Sequence, residues 1–195
     1  SAYASLVAFV GGWVDDTDTG PVASQLVLFH RIEQVFSVVE LGSASQSGFG
    51  HRLSLSSDGR FIALELDGVV VYDRVTQTMI PVSVDWEGNL RHATAPSISG
   101  DRRFVAFASP VPLLFEQTAG SVQVYVRDLL ANKTQLLSRS EDGAIGDGDS
   151  GGGRSEGSPR ISRDGCFVTF SSRASNLVPY DLNQQDDIFR VPIAL

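Results

Sequence analysis

The chain has 195 residues, 42 % hydrophobic and 19 % charged, which is long enough to bury a core and excludes an intrinsically disordered polymer. Its 15 Lys and Arg against 23 Asp and Glu give a formal charge of −8. That balance excludes a nucleic-acid partner from the expectations, because such binding draws its affinity from cations on phosphates. No apolar run reaches the ~18 residues that a membrane-spanning helix requires, and one cysteine, Cys166, cannot form a disulfide within the chain.

The first residues, SAYASLVAFV, lack the basic and apolar segments of a signal peptide and read as the interior of a repeat, so any export signal is expected to have been removed already. Within them Leu6-Val7-Ala8-Phe9 is a short apolar strand. An acidic loop follows, Asp15-Asp16-Thr17-Asp18-Thr19-Gly20. Two more strands come next, around Leu26-Val27-Leu28-Phe29 and Val35-Phe36-Ser37-Val38-Val39.

Three nearly repeated segments then set the rhythm: SLSSDGRFIAL (54–64), SISGDRRFVAF (97–107) and RISRDGCFVTF (160–170). Each is predicted to be a hairpin, with Asp58-Gly59 and Asp164-Gly165 as two-residue turns that need positive φ. Asp101-Arg102 departs from that pattern and predicts a different turn. The cassettes Phe61-Ile62-Ala63-Leu64, Phe104-Val105-Ala106-Phe107 and Phe167-Val168-Thr169-Phe170 match Leu6–Phe9, which makes four copies. Cys166 reads as a small buried hydrophobe in the last of them.

A third run follows each cassette: Leu26–Phe29, Val69–Tyr72, Val122–Tyr125 and Ile188-Phe189. In three copies an arginine stands two residues beyond the aromatic (Arg31, Arg74, Arg127). A fourth run closes each unit, at Val35–Val39, Met79–Ser83 and Thr134–Ser138. No segment carries a sustained helical period. The chain is therefore predicted to be all-β, with four strands per repeat at a period of ~40–50 residues, which is the signature of a β-propeller blade. Blades fall at about 1–48, 49–92, 93–155 and 156–195. The Gly-, Ser- and acid-rich stretch EDGAIGDGDSGGGRSEG (141–157) reads as a surface loop, with a further metal site as the alternative.

The pattern S-x-S-x-D-G-R-[FY]-[IV]-A-F, followed by [DS]-[IV]-[FY]-V-R-D, resembles the TolB-like propeller repeat over nearly the whole chain. Ser175-Asn176-Leu177-Val178-Pro179-Tyr180-Asp181-Leu182-Asn183, continuing to Asp187-Ile188-Phe189, is similar to a form found in bacterial exported proteins. The resemblance implies a periplasmic or extracellular location. Counting runs gives fourteen strands, about three and a half blades, whereas the resemblance implies six or more. Three arrangements are open: a homodimer completing the propeller, a piece of a longer propeller, and a compact four-bladed monomer.

Oxygen-rich loops are the first candidate chemistry. Asp16 and Asp18 in one loop, and Asp181, Asn183 and Asp187 in another, occupy equivalent places and offer the hard oxygens that Ca²⁺ takes. Self-capping of exposed turns is the competing reading. Leu113-Leu114, in the loop Pro110–Phe115, stand near the place of Leu177-Val178 and are expected to plug the loop onto its blade, or else to form a partner-binding patch. His51 and His92, just before inner strands, and nearby Arg52, Arg91 and Arg154 form a candidate ligand-binding set at the channel mouth. No nucleophile elbow or Ser/His/Asp order supports acyl chemistry. The favoured expectation is a non-enzymatic module for a protein or glycan partner. A hydrolase or lyase at the channel mouth, and a structural fragment of a larger exported protein, are the alternatives.

Overall fold

In the computed structural model the described residues are 6–13, 23–43, 52–115, 120–152, 157–183 and 185–193. They contain fourteen strands and no helix, in four antiparallel sheets. The chain divides into two compact units, 1–53 and 54–195. The first holds a three-stranded meander of β1 (Leu6–Trp13), β2 (Ala23–His30) and β3 (Val35–Ser43).

The second unit contains the other sheets. β4 (Leu53–Leu55), β5 (Phe61–Glu65), β6 (Val69–Asp73) and β7 (Thr78–Pro81) form one sheet in sequential order. β8 (Thr94–Ile98), β9 (Phe104–Ser109), β10 (Gln123–Asp128) and β11 (Lys133–Leu136) form the next. β12 (Arg160–Ile161), β13 (Phe167–Ser172) and β14 (Asp187–Pro192) form the last. The predicted four-strand repeats are these sheets.

Burial explains why the middle strands read as continuous apolar runs. Every residue of β6 (VVVYD) and of β9 (FVAFAS) is buried, and the sheet that holds β9 is covered on both faces by its neighbours. Ala63, Val69 and Val71 of one sheet share a core with Val105, Phe107 and Tyr125 of the next. The opposite face of that sheet, through Phe104, Ala106 and Val124, packs with Val168, Phe170 and Leu177. β14 (DIFRVP) instead alternates between half-buried and exposed positions, as a strand covered on one side does. At ~25 cal/mol per Å² of apolar surface removed from water, each such interface is the main force holding neighbouring sheets together.

Each serine of the repeat has its own task. The first ties one sheet to the next: Ser54 Oγ accepts the Ile98 N–H at 3.1 Å, and Ser97 Oγ accepts the Ile161 N–H at 3.1 Å. The second builds the turn. Ser56, Ser99 and Ser162 each donate to the aspartate two residues on, Asp58, Asp101 and Asp164, at 2.6, 2.5 and 2.5 Å. The same hydroxyls accept the N–H of Phe61, Phe104 and Phe167, all at 3.0 Å.

The predicted two-residue turns are therefore replaced by a longer, hydroxyl-braced one. Gly59, Arg102 and Gly165 each donate an N–H to the serine carbonyl three residues earlier and have φ of 67°, 66° and 71°. Asp101-Arg102 makes the same turn as its glycine-containing relatives, since the bracing hydrogen bonds hold a non-glycine residue in the left-handed region. The expected burial of Cys166 is also corrected: the thiol is exposed. It stands where the other copies carry Arg60 and Arg103, whose guanidiniums bracket Asp73 (2.6 Å) and Asp128 (2.8 Å). Register puts Pro192 at the place of those aspartates, so the last sheet has lost both members of the pair.

Strand register corrects one alignment as well. Tyr72 lies opposite Ile62, and the residue opposite the equivalent Val105 is Arg127. Arg74 and Arg127 are not counterparts. Arg127 sits within its strand, buried, donating to Thr134 Oγ1 at 2.8 Å and to Asn132 Oδ1.

Candidate functional site

Because the strands of the second unit alternate in direction, its connections sort onto two ends. One end carries the β4–β5, β6–β7, β8–β9, β10–β11 and β12–β13 turns, where the serine braces and the Arg–Asp brackets lie. It is built for stability. At the other end lie the β5–β6, β7–β8, β9–β10, β11–β12 and β13–β14 connections, with most of the residues singled out from the sequence.

Arg91 and His92 are on the β7–β8 connection. Arg91 is not free for a ligand: its Nε and a terminal nitrogen both meet Asp85 Oδ2 at 2.6 Å. His92 is exposed, and its carbonyl accepts Ser109 Oγ at 2.8 Å. Arg52 is half-buried just before β4. His51, Arg154, Asp16 and Asp18 lie outside the described residues.

In the β13–β14 connection, Asn183 Nδ2 donates to Asp187 Oδ2 at 2.9 Å, and its Oδ1 accepts the Gln185 N–H at 2.7 Å. Asp181 is half-buried nearby in sequence. The adjoining Asp186 pairs with Arg173 at 2.7 Å. Among the described residues, no three His, Cys, Asp or Glu side chains come together as a metal-binding group.

The acidic segment 141–157 is more structured than a plain surface loop over its described part. Asp147 accepts the Ser175 N–H at 2.7 Å and its hydroxyl at 2.8 Å, while Asn176 accepts the Asp147 N–H at 3.0 Å and donates to the Ile145 carbonyl at 2.8 Å. Asp149 accepts the Val122 N–H at 2.8 Å. The Ser-Asn of the SNLVP motif is thus a polar clasp, and Leu177 beneath it is 7 % exposed. Leu113 plays the same anchoring part in the β9–β10 loop at 1 % exposure, as expected.

Sequence reasoning missed Trp86. The segment Asp85-Trp86-Glu87-Gly88 is a tight turn in which Gly88 (φ +86°) donates to the Asp85 carbonyl at 3.0 Å. Asp85 Oδ1 accepts the N–H groups of Glu87 and Asn89 at 3.0 and 2.9 Å. Burial opposes ionisation there, but the Asn89 N–H and the Arg91 guanidinium outweigh it and hold the carboxyl below its usual range. On this braced turn Trp86 is 52 % exposed, with Phe115 (78 % exposed) edge-on at 5.9 Å and 89°. The available signal was an aromatic residue at the second position of an Asp-x-x-Gly turn, where solvent-facing side chains are normally polar.

Neither a family model nor any curated protein matches the sequence. Solved structures do match. The chain is similar to the β-propeller domain of the trilobed protease from Pyrococcus furiosus (12 % identity, TM-score 0.55, 98 % of this chain on 54 % of that one). It is similar to putative TolB from Agrobacterium tumefaciens (14 % identity, TM-score 0.50, 96 % on 62 %) and to acylaminoacyl peptidase from Pyrococcus horikoshii (14 % identity, TM-score 0.56, 96 % on 29 %).

The fold is that of a β-propeller.

Its sheets are blades, and the chain spans between 29 % and 62 % of the length of these neighbours. At such identities the likeness speaks of fold alone, since activity resides in sites grafted onto a propeller.

Proposed function

We propose that this propeller is a non-enzymatic binding module that engages a protein or glycan partner at the end carrying the β7–β8 and β9–β10 loops. The observation that carries the reading is the Trp86–Phe115 pair. Two large rings stand in solvent on loops that are themselves anchored, one by the buried Asp85 carboxylate and the other by Leu113. Aromatic anchors held rigidly lose little freedom on binding, and Trp is the residue most enriched among binding hot spots. Glu87 and Asn89 beside them supply polar groups for orientation. Catalysis at the channel mouth finds less support, because Arg91 is committed to Asp85.

A retained partner from a panel of immobilised glycans and peptides is expected to lose at least about tenfold in affinity on Trp86→Ala, the size of a modest hot spot. Turnover of polysaccharides or lactones that vanishes with His51→Ala or His92→Ala overturns the reading in favour of a hydrolase or lyase. The oxygens of Asp181, Asn183 and Asp187 are the described groups that a structural Ca²⁺ would use. A melting temperature several degrees higher in millimolar Ca²⁺ than in EDTA, with the difference lost in Asp181→Asn, assigns an ion to that loop, and an unchanged one leaves it as a self-capped turn. A periplasmic or extracellular setting belongs to the same proposal and rests on the TolB-like resemblance.

A further inference from the structure

The turn that carries Trp86 directs its donors inward. The N–H groups of Glu87 and Asn89 reach Asp85 Oδ1, and that of Gly88 reaches the Asp85 carbonyl. The Asn89 amide nitrogen donates to Asp85 Oδ2 at 3.4 Å and to Glu87 Oε2 at 3.2 Å, and the Arg91 guanidinium closes on Asp85. Facing outward are an exposed carboxylate, Glu87, and two aromatic rings that meet at 89°. A sugar hydroxyl both donates and accepts, so it is best matched by a mixed set of partners. Ammonium and guanidinium groups only donate, and the face of a Trp or Phe ring attracts them. Rings beside an acceptor therefore suit a cation better than a sugar.

Charge is divided between the two ends of the second unit in the same sense. Among the described residues, the connections at this end carry nine Asp and Glu: one in β5–β6, two in β7–β8, four in β11–β12 and two in β13–β14. Against them stand three arginines, and two of these, Arg91 and Arg173, are paired with Asp85 and Asp186. The turns of the opposite end hold three aspartates and five arginines. The ring pair thus stands on the acidic end of the unit. An anionic partner is repelled there, and a cationic one is drawn in from a distance.

We infer that the partner engaged at Trp86 and Phe115 is a basic polypeptide segment, with an arginine or lysine lying over the indole and its charge against Glu87. This rests on the binding-module reading above and narrows its choice of partner to a cationic stretch of protein. The rings supply the short-range contact, and the acidic end supplies attraction and orientation.

Short labelled peptides that differ only in carrying arginine, glutamine or glutamate at alternate positions test this, together with a panel of neutral glycans. The whole chain is titrated against each. The arginine peptide alone is expected to bind, with an affinity that falls at least about tenfold between about 50 and 500 mM salt. Trp86→Ala weakens it by about tenfold or more, Glu87→Gln weakens it several-fold, and Trp86→Phe, which keeps a ring, retains most of it. Leu130→Ala, an exposed apolar substitution at the opposite end, leaves it unchanged. Melting temperatures of the variants are expected to match the parent, because Trp86 and Glu87 are exposed. Binding of the arginine peptide that is indifferent to Trp86→Ala is charge attraction alone and overturns the inference. A neutral glycan retained through Trp86, with no affinity for the arginine peptide, overturns it too but leaves the binding module standing. Absence of Trp86-dependent binding to every probe overturns both.

Discussion

A single hydroxyl does two jobs in each braced turn, and Ser99 shows it most clearly. The residue is fully buried, donates to Asp101, and accepts the buried Phe104 N–H. Ser99→Ala strands that N–H, and an unsatisfied buried donor costs about 1–3 kcal/mol. Denaturant unfolding is expected to show a loss of that size with an unchanged m-value. The brace also explains Arg102 at φ +66°, a conformation that costs a non-glycine residue roughly 1–2 kcal/mol. Its guanidinium returns part of that cost, lying 3.5 Å from Asp58 and 5.3 Å from the Phe61 ring centroid. Cys166 occupies in the last copy the slot that holds Arg60 and Arg103 in the others. Desolvation and the nearby Asp164 push its thiol pKa upward, so it remains protonated at neutral pH and is a poor nucleophile.

Between strands, the loops are tied down by one buried aliphatic residue and a few directed hydrogen bonds. Leu177 is the plug of the β13–β14 loop and belongs to the core between the third and fourth blades. Leu177→Ala is expected to cost about 2–5 kcal/mol, the range for truncating a buried leucine. Amide exchange should rise over 145–149 and 174–177 together, since Asn176 and Asp147 clasp those segments to each other. Protection lost in one segment alone would contradict a shared clasp. The plug was legible in the sequence, because SNLVP sets two apolar residues in an otherwise polar loop. Its polar partner was not: Asp147 lies 28 residues away from Ser175, inside a segment whose composition reads as plain surface connection.

For the whole molecule, the carboxylates set the pH dependence. The Arg60 guanidinium holds the Asp73 carboxyl far below its ordinary value of 3.8. At Asp128, burial pushes upward, but Arg103 and the N–H groups of Ala131 and Leu130 bring the net shift downward. Ser56, Ser140 and Ser162 lower Asp58, Asp142 and Asp164 in the same direction. Groups depressed in the folded state contribute stability that is fully present above the unfolded value near 3.8 and lost as pH falls through the folded values. The melting temperature is therefore expected to be nearly flat from about pH 5 to 8 and to fall steeply below about pH 4. A maximum in the acid range would refute this assignment of the ion pairs.

Strand number, sheet membership and the recurrence of one blade were determined by the sequence alone, since a two-residue apolar period and a Ser-x-Asp turn act over about ten neighbouring residues. Tertiary structure decided what depends on residues far apart in the chain. It swapped the alignment of Arg74 and Arg127, exposed Cys166 beside Pro192, tied Arg91 to Asp85, and brought Trp86 and Phe115 together from loops of different blades. Local pattern says that a strand is apolar on both faces. Only packing says which face another sheet covers, as the contrast between buried Val168 and half-buried Thr169 in β13 makes plain.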